Sequence, residues 1–72
     1  MMYDDKIVDF SSDYIEYIID QYVHSKRDRT ILKQKWLDDE TYHTIAENVG
    51  MSDRGVQYVV DRWRKKLLKY FS

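Results

Sequence analysis

Residues 53–69, "DRGVQYVVDRWRKKLLK", carry Arg54, Gln57, Tyr58, Arg62 and Lys65 at steps of three and four. That spacing places them on one side of a helix. Together these side chains suit one kind of chemistry, directional hydrogen bonding to a polyanion that also presents base edges. An Arg fork pairs with guanine, a Gln amide pairs with adenine, and a Tyr ring packs on a thymine methyl while its hydroxyl meets a phosphate. Arg62 and Lys65 lie one and two turns further on and fit phosphate oxygens, which position a protein without reading sequence. Ser52, just before the segment, is placed both to cap the helix and to touch a phosphate.

Other chemistries lack their parts. No nucleophile–base pair and no pair of carboxylates at a catalytic spacing is visible, so no enzyme is expected. The chain has no cysteine, which excludes disulfides and thiolate metal sites. His24 and His43 share no ligand-type spacing, so neither a metal nor another cofactor is expected. With 72 residues the chain can form one small domain, too small to hold a deep cleft between domains. No apolar run approaches the roughly 18 residues of a membrane span. The opening "MMYDDKIVDF" is acidic and unlike a signal peptide. The expected compartment is the cytoplasm, without a membrane partner.

The net charge of −1 argues against a polyanion partner, but the charges are unevenly placed. Residues 1–25 hold six acids and one base, a net of −5, and residues 26–72 hold eleven bases and seven acids, a net of +4. Residues 54–72 hold six bases against Asp61, a net of +5. At physiological salt, charge is felt over about 8 Å, so a partner meets the local face and not the total.

The elements that must carry these groups are helical. Proline is absent and there are two glycines, whereas sheet proteins need turn signals every ~8–12 residues. Residues 2–10 read as an acidic turn or short helix with Ile7, Val8 and Phe10. Ser11 or Ser12 caps a helix over about residues 12–24, on which Tyr14 or Ile15, Ile18, Ile19 and Tyr22 recur at helical spacing. "HSKRD" is a polar break, and Asp28 is placed to cap the next helix, with Ile31, Leu32 and Trp36 on one side. Thr41 precedes a short helix with Tyr42, Ile45, Ala46 and Val49 on its apolar side. Gly50 then stops that helix by taking a left-handed conformation without a Cβ clash. Met51 tucks beneath the bend, and Ser52 opens a long helix over about residues 53–70. Its apolar stripe is Val56, Val59, Val60, Trp63, Leu67 and Tyr70. Trp36 and Trp63 stand on apolar stripes, which assigns them to the core and not to base stacking.

Two helices joined by a tight Gly-containing turn form a helix-turn-helix. Ala46 is the small residue where the helices cross, Gly50 makes the turn, and Met51, Val56 and Val59 face Ile45 and Val49. An ordinary helical hairpin meets the same demands. What distinguishes this pair is the polar, basic and aromatic free side near the N-terminus of the second helix, where base edges are met. The fold expected is all-α, a three-helix core plus an N-terminal helix, with a long C-terminal recognition helix.

Residues 27–70, 44 of the 72, resemble region four of bacterial sigma factors and the small phage and bacterial regulators built on the same module. The residues that match are Arg27, Ile31, Leu32, Lys35 and Trp36, then Thr41, Ile45, Ala46, Val49, Gly50, Met51 and Ser52, then Val56, Arg62, Lys66 and Leu67. The resemblance implies promoter DNA binding through the second helix and, in full sigma factors, contact with RNA polymerase. The chain departs from the family just after the Ser, with Asp53, Arg54, Gly55, Gln57 and Tyr58 where charged residues are usual. A different preferred DNA sequence is therefore expected. Gly55 reads either as a close backbone approach to DNA or as a tolerated residue. The rest of a sigma factor is missing, which favours a stand-alone regulator.

The expected partner is double-stranded DNA, with Ser52, Arg54, Gln57, Tyr58, Arg62 and Lys65 as contacts from the last helix. Thr41, Tyr42 and His43 would meet the opposite strand from the preceding helix. Arg27, Arg29 and Lys33 either add longer-range attraction or stand as solvated charges. One such unit makes few phosphate contacts, so a homodimer is expected, with the Tyr-rich N-terminal helix as its interface or as a site for a protein partner. The competing reading is a protein-interaction module that binds RNA polymerase or another regulator without reading DNA.

Overall fold

A computed structural model describes residues 7 and 9–71. The acids and base at Asp4, Asp5 and Lys6, with Val8 of the expected N-terminal turn or helix, lie outside the described residues. Each helix begins at a short polar side chain in extended conformation that accepts a backbone N–H two or three positions into the helix. Ser11 Oγ accepts from Tyr14 to open α1 (Ser12–Tyr22), and Ser25 Oγ accepts from Asp28 to open α2 (Lys26–Trp36). Thr41 Oγ1 accepts from Thr44 to open α3 (Tyr42–Val49), and Ser52 Oγ accepts from Gly55 to open α4 (Asp53–Leu67). The chain closes with a 3-10 turn, Leu68–Phe71. The all-α, four-helix architecture expected from the sequence is the one observed.

Three boundaries differ from the expected ones. α1 stops at Tyr22 and not near residue 24, because Val23 turns extended and its side chain is buried. Asp28 does not cap α2. Ser25 does, three residues earlier, and the polar break shrinks to residues 23–25. The last helix ends at Leu67 and not near residue 70, where the tighter turn swings Phe71 into full burial against Phe10, Tyr14 and Trp36. Tyr14 Oη donates to the Tyr70 carbonyl at 2.6 Å, which ties α1 to that turn.

The core is apolar and continuous. Ile15, Ile18 and Ile19 of α1, Ile31, Leu32 and Trp36 of α2, Ile45 and Ala46 of α3, and Val56, Val59, Val60 and Leu67 of α4 are all buried. α2 touches α1, α3 and α4, and α3 packs along α4. Between α2 and α3 the chain turns at Asp39, whose φ of 57° is left-handed. Asp visits that region more readily than most residues with a side chain.

Candidate nucleic-acid interface

α3 and α4 meet across a bend whose geometry follows from Gly50. Its φ of 72° and ψ of 37° are left-handed. The N–H groups of Gly50 and Met51 both reach the Ala46 carbonyl, the latter at 3.0 Å, which satisfies a carbonyl the helix end would otherwise leave open. Met51 is half-buried and packs on the core. The chain does not run straight through residues 49–53, and α4 starts afresh at Ser52.

Past the bend, the buried side of α4 leaves a free side that holds most of the residues expected to make contacts. Arg54, Gln57, Tyr58, Arg62 and Lys65 are all exposed, Tyr58 by 67%. Lys66 and Lys69 are exposed as well. Tyr58, Asp61, Arg62, Lys65 and Lys66 line a shallow concavity on that side. Arg62 and Lys66 both lie over the Trp63 ring, 5.5 and 5.2 Å from its centroid, so the half-buried indole supports two of the cations from beneath.

The bases and acids counted along the chain do not all contribute to this surface. Arg64 turns inward and is buried, with Nη1 2.6 Å from Asp61 Oδ1. The pairing also engages the one acid counted among residues 54–72. Lys33 is not a solvated charge. Its ammonium lies 2.9 Å from Asp20 and 3.6 Å from Glu16 of α1. The hydrogen bond to Asp20 raises its pKa above the ordinary value, against the opposing effect of burial. Arg29 donates to the Val23 carbonyl at 3.0 Å and so closes the end of α1, and Arg27 pairs with Asp28 at 3.2 Å. These three cations are engaged within the fold.

The residues expected at the start of α3 divide. Thr41 is exposed, but its hydroxyl is occupied by the cap and by Thr44 Oγ1 at 3.0 Å. Tyr42 is half-buried against the core with the Lys35 ammonium 4.5 Å from its ring centre. His43 is exposed, and its ring is set between two carboxylates, Nε2 at 3.3 Å from Glu47 and Nδ1 at 3.3 Å from Asp53. Sequence reasoning missed this contact and the burial of Asp28, whose Oδ2 accepts from the Trp63 indole at 2.9 Å. Gly55 has a local cause that neither sequence reading named. A Cβ there would stand 3.1 Å from Ser52 Oγ and 3.2 Å from Met51 Cε, so the cap and the bend crowd that position.

Among the described residues no group of three or more His, Asp or Glu side chains is placed to hold a metal ion, and no helix is long and apolar enough to cross a membrane. Comparison with protein families, curated proteins and solved structures returns no match for this chain.

Proposed function

We propose that this chain is a sequence-specific double-stranded DNA-binding regulator of transcription, a module of the sigma region four type that reads the major groove with α4. One observation carries the reading: Arg54, Gln57, Tyr58, Arg62 and Lys65 share the exposed side of a helix that starts directly after a left-handed Gly turn. The same side is more cationic than the sequence total suggests, because six of the twelve bases fall in residues 54–72, where Asp61 is the one acid and is paired with Arg64. Arg54, Gln57 and Tyr58, near the start of α4, are the base-reading groups, and Arg62 and Lys65 meet phosphates. Such a unit binds weakly alone, and two copies on half-sites about 34 Å apart would give useful affinity.

Fluorescence anisotropy of a mixed-sequence duplex at low and moderate salt tests the reading. Salt-dependent binding that weakens in the Arg62→Ala, Lys65→Ala double variant is the expected result. Binding that is absent, or indifferent to that variant, rejects it. A specific observation favours the second reading, a protein-interaction module: Tyr17 is 56% exposed on α1 beside the exposed acids Asp13, Glu16 and Asp20. A chain that ignores duplex at low salt but captures RNA polymerase through α1 would fit that reading.

A further inference from the structure

Asp53 is the first residue of α4, directly after the Ser52 cap and directly before Arg54. An acid in the first turn suits the positive end of the helix, and it also repels phosphate. Its surroundings suggest a use. His43 Nδ1 is 3.3 Å from both carboxylate oxygens of Asp53, and a carboxylate only accepts, so the ring nitrogen is the donor. The other ring nitrogen lies 3.3 Å from Glu47 on His43's own helix, a contact that becomes an ion pair only when the ring is protonated, so the contact that joins the two helices is the one to Asp53. The Asp53 side chain remains 60% exposed, and a carboxylate has about four acceptor sites, so acceptor capacity is left beyond the His43 contact.

We propose that Asp53 is a specificity-determining residue that reads cytosine, with His43 as its positioning residue. The inference rests on the DNA-binding reading given above. In the major groove a carboxylate meets repulsive acceptors at guanine O6 and N7 and at thymine O4. Cytosine offers the N4 amino donor without an adjacent acceptor on the same base, whereas the adenine amino group sits beside N7. The acid therefore selects mainly by rejecting the other bases, and lowers affinity for duplex in general. Removing it raises non-specific binding and loses sequence preference together, the opposite of what loss of a cationic contact does.

Selection from a random duplex library, run with the wild type, Asp53→Ala, Asp53→Asn and His43→Ala, tests this, with circular dichroism to check that each variant folds. The wild type should favour cytosine at one position by about five- to tenfold, as expected of a single base contact. Asp53→Ala should lose that preference while binding mixed duplex at least as tightly. Asp53→Asn should move the preference toward adenine, whose N6 and N7 an amide satisfies together. His43→Ala should blur the preference at that position alone, a readout that loss of a purely structural contact would not move. If folded Asp53→Ala and Asp53→Asn select the same base there as strongly as the wild type, the inference is overturned and DNA binding stands. If the wild type shows no salt-dependent binding, the DNA reading fails and this inference fails with it.

Discussion

The indole N–H of Trp63 on α4 donates to the buried carboxylate of Asp28 on α2 at 2.9 Å, across 35 residues of sequence. The Arg27 guanidinium meets the other oxygen at 3.2 Å, and Asp28's own N–H completes the Ser25 cap. One acid thus links the opening of α2 to the middle of the helix that carries the proposed contacts. Asp28→Ala leaves the indole and guanidinium without their acceptor and should destabilise the domain by about 2 kcal/mol. In a domain of this size that lowers Tm by about 8–16 °C. Asp28→Asn keeps an acceptor for the indole and should lose clearly less. Thermal unfolding followed by circular dichroism compares the two, and equal losses would show that charge and not the indole bond governs the site.

Gly50 gives a cleaner backbone test, because nothing lies within 4 Å of the position a Cβ would take. Gly50→Ala therefore carries the cost of left-handed backbone alone, about 1–2 kcal/mol. Gly50→Asn, which visits that region more readily, should cost less. Chemical denaturation should rank the three chains Gly, Asn, Ala. An Ala variant as stable as the wild type would mean that the bend does not require the left-handed conformation.

Arg62 and Lys65 are expected to neutralise one phosphate each. Each such contact contributes about 0.9 to the slope of log affinity against log salt, so their joint replacement by Ala should reduce the slope by about 1.8. Anisotropy titrations from low to moderate salt measure it. Gln57→Ala should leave the slope unchanged and act on base preference only. A changed slope in Gln57→Ala, or an unchanged one in the double variant, would reverse the assignment of roles.

The Lys33 ion pair has a defined pH signature. The fold favours its protonated form, since its pKa is raised from 10.5 chiefly by the hydrogen bond to Asp20. Its contribution to stability is therefore fully present below pH 10.5 and is lost as pH rises through the higher folded value. Lys33→Met should lower stability at neutral pH by about 0.5 kcal/mol, as partly exposed pairs do. The gap to the wild type should close in alkaline solution and shrink in high salt. A gap that persists above the folded value would point to lost packing of the aliphatic stem.

The features legible from residues alone are local. Ser and Thr at the helix starts, the apolar period of each helix and the single glycine at the bend depend on neighbours within about four positions. Ser52, Thr41 and Gly50 accordingly stand where they were expected. Asp28 shows the limit of that reasoning. As a short polar residue ahead of an apolar run it is as good a cap as Ser25, and its burial becomes decisive only when Trp63 comes to lie over it. Gly55 has the same lesson, since its crowding depends on where the bend sends Met51.

The amino-acid order by itself determined the helices, the caps at Thr41 and Ser52, the turn at Gly50 and the exposed polar side of the last helix, because short-range sterics and hydrogen bonding suffice for these. Only tertiary structure decided which charges remain on the surface. Lys33, Arg29 and Arg64 are engaged by partners within the fold, Asp61 is held by Arg64, and Asp53, Arg54, Arg62 and Lys65 remain exposed, Asp53 with His43 beside it. Several of those pairings join different helices, and a charge finds such a partner only once the apolar sides have packed and set the helices side by side.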